Sequence, residues 1–159
     1  MCHLRKNNLI EKLQEIKSSE YGFVDTHDGE PGQLLERILT GGIVGSYDRD
    51  IYIDNTPYEI KSFRKESTAV TICKKVGDCK DDVIKYAIEK MQNLILVRYD
   101  TRVSSKIKYP NFFEFKKLNE KKFRKSITCR KSKSAGHWHI QVSNASKLIE
   151  CYEHGEELK

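Results

Sequence analysis

The stretch Asp50-Ile51-Tyr52-Ile53-Asp54-Asn55-Thr56-Pro57-Tyr58-Glu59-Ile60-Lys61-Ser62 decides the reading of this chain. Two β-rich runs, residues 50–53 and 58–62, flank a turn of Asp, Asn and Pro, which predicts a hairpin. Successive strand side chains point to opposite faces, so Glu59 and Lys61 share one face, with Tyr58 and Ile60 on the other. The hairpin is expected to return Asp50 beside Glu59. Two carboxylates and an ammonium then converge at a sheet edge. Carboxylate oxygens are hard ligands suited to Mg²⁺, which takes one or two of them, keeps several waters and binds substrate phosphate. Such an ion polarises a phosphodiester and acidifies a bound water. Lys61 can orient that water and offset developing negative charge. Asp48 or Asp54 are alternative ligands in place of Asp50; strand register favours Asp50. An exposed strand pair with an incidental ion pair accounts for the same residues without chemistry.

Outward from the hairpin, residues 4–17 carry Leu4, Leu9, Ile10, Leu13 and Ile16 near helical spacing, an amphipathic helix. Residues 22–32 read as a loop. Residues 32–39 read as a helix burying Leu34, Leu35, Ile38 and Leu39, ended by Gly41-Gly42. Residues 69–73 are a strand candidate. Residues 81–92 read as a helix with Asp81 and Asp82 at its positive end and Val83, Ile84, Ala87, Ile88 and Met91 inward. The nearly continuous apolar run 93–99 reads as a central buried strand. Past Thr101 the pattern loosens, with strands expected at 112–115 and 137–142 and a helix at 119–126. This order predicts one α/β (α+β) domain, a mixed central sheet flanked by helices, with no repeat and no linker.

The 159 residues suit a single domain with its own core. No apolar run approaches the ~18 residues of a membrane span, and the N-terminus lacks the apolar segment of a signal peptide. Five irregularly spaced cysteines suggest unpaired thiols in a reduced, cytoplasmic setting. The net charge of +6 is uneven. Residues 102–133 hold 12 Lys and Arg against Glu114 and Glu120, whereas the rest of the chain carries 17 basic and 21 acidic residues. A basic block beside a slightly acidic body suits a polyanion-binding face, or else a solvated lysine-rich surface.

Three stretches carry a resemblance to a known family: residues 28–39 (Asp-Gly-Glu-Pro-Gly-Gln-Leu-Leu-Glu-Arg-Ile-Leu), the hairpin with its Asp-Asn turn and the Ser after Lys61, and Glu153-His154-Gly155. The chain resembles the PD-(D/E)xK nuclease superfamily, most closely the PvuII restriction-endonuclease group. The resemblance implies a restriction-endonuclease-like fold and Mg²⁺-dependent hydrolysis of duplex DNA at a short, palindromic site, with Mn²⁺ able to substitute. Asp50 and Glu59 become metal ligands, Lys61 the catalytic lysine and Asp28 a DNA contact; Ser62 joins the DNA-contact set. The implied partners are double-stranded DNA, a second copy of the chain and a cognate DNA methyltransferase, with no membrane. The N-terminal helix within residues 1–20 is the expected dimerisation element. Glu36 departs from the group, as an acid more like that of mismatch-repair nicking enzymes, and offers a second-metal ligand. The base-reading histidine cluster of the group also has no counterpart after Lys61, where Thr71-Ile72-Cys73-Lys74-Lys75 stands instead. A structure-specific or nicking repair nuclease of the superfamily, and a non-catalytic DNA-binding module, are the alternative functions.

Further DNA contacts are expected from Lys74, Lys75, Arg130, Lys131 and Lys133. His137 and His139 share one strand face, where imidazoles can meet base edges or phosphates; equally, Trp138 is core and both histidines are merely exposed. Asn144 either contacts adenine or forms a turn. Cys73, Cys79, Cys129, His137 and His139 fit no tight zinc spacing.

Overall fold

The computed structural model describes residues 3–18, 21–22, 51–63, 66–76, 79–100, 106–132 and 136–159. In chain order these form β1 (His3–Leu4), α1 (Lys6–Ser18), β2 (Tyr21–Gly22), β3 (Ile51–Ile53), β4 (Thr56–Phe63), β5 (Val70–Val76) and α2 (Lys80–Lys90). Then come β6 (Asn93–Asp100), β7 (Lys106–Leu118), α3 (Glu120–Ser126), β8 (Ile127–Lys131), β9 (His137–Val142), α4 (Ala145–Ile149) and β10 (Tyr152–Leu158). The helix expected over 32–39 lies outside the described residues, as do Asp28, Glu36, Asp48, Asp50 and Lys133.

The deciding hairpin forms, but its turn is tighter than expected. Ile53 pairs with Thr56, so the turn is Asp54 and Asn55 alone, at φ +48° and +65°. Two successive left-handed residues suit a hairpin turn, and Asp and Asn tolerate that region best among side-chain-bearing residues. Pro57 therefore belongs to β4, opposite Tyr52. A proline there costs no ladder bond. It sits one pair beyond the hydrogen-bonded pair that closes the turn, and β6 joins β4 only from Glu59 onward.

A seven-stranded mixed sheet runs in the order β1-β3-β4-β6-β7-β10, with β2 also on β7. β4 and β6 are parallel, as are β1 and β3; the other pairs are antiparallel. The crossover from β4 to β6 carries β5 and α2, as parallel neighbours require. β5 leaves the main sheet and joins β9 and β8 in a three-stranded antiparallel sheet.

β6 shows why its run is almost wholly apolar. Leu94 and Leu96 enter one core cluster, Ile95 and Val97 the other, so both of its faces are covered. The first cluster collects α2, α3, α4 and the inner face of the small sheet, with Phe123, Ile140, Val142 and Leu148 fully buried. A bulge between Thr71 and Cys73 sets two β5 residues against Ile140, and both Ile72 and Cys73 are buried. The second cluster lies under α1, where Leu9 and Leu13 meet Ile51, Ile53, Tyr58 and Phe112. Burying each leucine contributes about 1.5–3 kcal/mol. Leu9 and Leu13 of α1, the helix expected to dimerise, are thus buried within the chain. Among the described residues no helix is long and apolar enough to cross a membrane.

Candidate active site and basic sheet

Glu59 and Lys61 alternate onto the first-cluster side of β4, as strand geometry requires. Glu59 is 3% exposed. A buried carboxylate stays ionised only with counter-charges close by, and two are present. Lys61 Nζ and Lys90 Nζ each stand 3.4 Å from the same oxygen, Oε1. Lys61 comes from β4 itself and Lys90 from the last turn of α2. Their side chains are 18% and 20% exposed, so solvent screens the cluster weakly. The Cys73 thiol on β5 and the Tyr152 hydroxyl on β10 also interact with Glu59. Burial pushes the Cys73 thiol up, against the pull of Lys90 and Lys61. Burial, then Cys151 and Glu59, push the Tyr152 phenol far above its ordinary value. Its hydroxyl donates to the Met91 carbonyl at 2.6 Å, closing the C-terminus of α2.

The sequence reading missed Lys90. A lysine in a helix's last turn has a sufficient local role against the helix dipole, and its reach to Glu59 is set by the crossover. Of the other expected site residues, Asp50, Asp28 and Glu36 lie outside the described residues. Asp54, weighed as an alternative ligand, sits exposed at the hairpin tip, where its Oδ1 accepts from the Lys6 backbone N–H at 3.3 Å and caps α1. Ser62 alternates onto the face of Tyr58 and Ile60, away from Lys61. Among the described residues no three His, Cys, Asp or Glu side chains converge as a metal-binding group. Glu59 supplies one buried hard-oxygen donor, within the one or two carboxylates that Mg²⁺ takes.

The small sheet sorts the expected DNA contacts by face. Lys74, His139 and Arg130 pair in one row across β5, β9 and β8, and Thr71, Gln141 and Thr128 in another. The outer four, Lys74, Arg130, Thr71 and Thr128, are exposed, with His137, His139 and Gln141 half-buried between them. Burial first, then Lys74, Arg130 and His137, hold the His139 imidazole below its ordinary value. Thr71, Thr128 and Gln141 were not singled out in the sequence; their alignment appears only once three distant strands pair. Lys75 and Lys131 alternate to the opposite face, Lys75 Nζ 3.6 Å from the centre of the Tyr86 ring and Lys131 Nζ 5.9 Å from that of Trp138. Trp138 packs against the core. Asn144 is a helix cap, its Oδ1 accepting from the Lys147 N–H at 2.9 Å. The basic block is spread over several elements: Lys116 binds Glu114, while Lys121, Lys122, Arg124 and Lys125 are exposed on α3.

A second buried carboxylate, Glu114, is also 3% exposed. It lies on the second-cluster side of the sheet. Its Oε1 is 3.3 Å from Lys116 Nζ and 3.6 Å from Lys6 Nζ, and its Oε2 accepts from the Tyr58 hydroxyl at 3.3 Å. Lys6 Nζ also binds Glu156 at 3.0 Å. Burial and then Glu114 push the Tyr58 phenol well above its ordinary value. Glu114, Lys116, His154, Gly155 and Glu156 line a cavity of about 300 Å³.

No protein-family model matches the sequence, and no curated protein matches it.

Proposed function

We propose that the chain is a Mg²⁺-dependent endonuclease that hydrolyses phosphodiester bonds of duplex DNA at a short palindromic site, in the manner of a type II restriction enzyme. The observation that carries this reading is Glu59, a buried carboxylate bracketed by Lys61 and Lys90 on a hairpin strand. Glu59, with Asp50, would hold the ion, which when bound polarises the scissile phosphate and acidifies a water. Lys61 directs that water with its ammonium and offsets charge growing on the phosphate oxygens. Lys74 and Arg130 neutralise backbone phosphates, and His137, His139 and Gln141 between them meet base edges. One active site per chain cuts one strand, so palindromic cutting calls for a two-fold dimer. A host carrying the enzyme needs a methyltransferase that protects the same site.

The test is digestion of unmethylated phage-sized duplex DNA with Mg²⁺ and with EDTA. Discrete fragments only with Mg²⁺, lost in Glu59→Ala and Lys61→Ala while DNA binding survives, are expected. A smear moves the reading to a structure-specific or nicking nuclease. The cross-strand row Lys74–His139–Arg130 favours a second reading, a non-catalytic DNA-binding module, because it needs no catalysis to bind DNA. Binding without cutting under every condition would select it.

A further inference from the structure

We propose that Lys90 is a positioning residue of the Glu59 site: it holds the Glu59 carboxylate when Lys61 turns from that carboxylate toward the substrate. The inference rests on the nuclease reading above. Both ammonium groups stand 3.4 Å from the same oxygen, yet they arrive from different elements. Lys61 rises from the strand that bears Glu59, and Lys90 reaches across from the end of α2. Stripping a buried carboxylate of its cation is strongly disfavoured. Until an ion reaches Glu59, a lysine that alone neutralised it would therefore be held there and kept from a phosphate. A second ammonium on the same oxygen removes that constraint. Described groups that interact with Glu59 include Lys61 from β4, Lys90 from α2, the Cys73 thiol from β5 and the Tyr152 hydroxyl from β10. A thiol or a phenol carries no positive charge in any state, so of these groups Lys90 is the one that can stand in for Lys61.

The experiment compares Lys90→Met, Lys90→Gln and Lys90→Arg with wild type and Lys61→Ala, measuring kcat, KM and the pH–rate profile on one duplex substrate with Mg²⁺. The expected result for Lys90→Met is a kcat lower by about tenfold to a hundredfold, the usual loss when a group that orients a functional side chain is removed. KM should stay near wild type. The acid limb of the profile should move to higher pH, because a carboxylate with one cation fewer protonates more readily. Lys90→Arg should restore both rate and limb. Lys90→Gln gives the same reading should the Met variant fold poorly. A variant that melts earlier but keeps wild-type kcat and acid limb would show a merely structural lysine and overturn the proposal. Wild-type cleavage abolished by Lys61→Ala, with Lys90→Met fully active, overturns the Lys90 role and leaves the nuclease standing. Absence of Mg²⁺-dependent cleavage in the wild type overturns both.

Discussion

Glu59 and Glu114 are close to a matched pair. Each is 3% exposed, each lies on a strand of the main sheet, and each has one oxygen facing two lysines. They occupy opposite faces, and their cations differ. The lysines at Glu59 are 18% and 20% exposed, whereas Lys6 and Lys116 at Glu114 are 37% and 45% exposed. The Glu114 network joins α1, β4, β7 and β10 and includes the Tyr58 hydroxyl and Glu156. Its groups stitch elements together at a solvent-screened edge. The Glu59 cluster draws its cations from β4 and from the helix α2 of the β4-to-β6 crossover, beside buried Cys73 and Tyr152. Burial and pairing alone therefore do not tell the two carboxylates apart. Shielding does more, since the same charges act more strongly where water is excluded.

The hardest test of this contrast swaps activity between the two sites. Glu59→Gln and Lys61→Ala should each lower Mg²⁺-dependent cleavage by about 100- to 1000-fold, the loss typical of removing a preorganised charged group. Glu114→Gln should stay within a few-fold of wild type in the same assay. Equal losses at both carboxylates would erase the distinction. Glu114→Ala leaves the buried Tyr58 hydroxyl without its acceptor and should cost about 2 kcal/mol, discounted from the larger figure for buried pairs because Lys6 and Lys116 are more than a third exposed. Urea denaturation with an unchanged m-value measures it.

A stability test on the Glu59 side of the main sheet lies at Gly155, which pairs with Phe115 across β10 and β7. A Cβ at Gly155 would stand 2.5 Å from Phe115 Cε1. Phe115 is buried and packs on Tyr152, their ring centroids 5.6 Å apart. The ring has little room to yield, so Gly155→Ala should lose about 1–3 kcal/mol, the range for overpacking a well-filled site. Thermal melts should fall by several degrees, at about 2–4 °C per kcal/mol for a chain of this length.

The hairpin, α2 and β6 were legible in the sequence because one local rule sufficed for each. Alternation with Asp-Asn gave the first, helical spacing of Val83, Ile84, Ala87 and Ile88 the second, and an unbroken apolar run the third. The Glu59–Lys61 half of the site was legible for the same reason. Lys90 was not, since nothing in its helix reports what lies beyond its C-terminus. β10 was missed because Tyr-Glu-His-Gly-Glu-Glu-Leu has five successive exposed residues between its buried ends and is a strand by virtue of pairing with β7. The burial of Glu114 was equally hidden. In a segment read for its Phe residues, an acid at a strand position reads as solvent-facing until α1 covers that face. His139 was visible as a residue but its setting was not: Lys74 and Arg130 flank it only after three separate strands align.

The smallest expected effect concerns the rim of the Glu114 network. Its bond to Glu156, with Glu114 nearby, holds the Lys6 ammonium above its ordinary value; the bond to Lys6 holds the Glu156 carboxyl below its own. A lowered acid contributes stability that is present above its ordinary value of 4.5 and is lost as pH falls through the lowered folded value. A raised base contributes stability that is present below 10.5 and is lost as pH rises through the raised folded value. Glu156→Gln should therefore reduce stability on the plateau between these limits and converge with wild type on the acid side. Glu156 is exposed and solvent screens it, so the gap should shrink further at about 1 M salt, where the screening length is about 3 Å. The pH–rate profile of cleavage should not move, because Glu59 lies on the other face of the sheet. A shift of that profile in Glu156→Gln would join the two carboxylates into one electrostatic unit, and chemical denaturation across pH beside cleavage rates on the same preparations would reveal it.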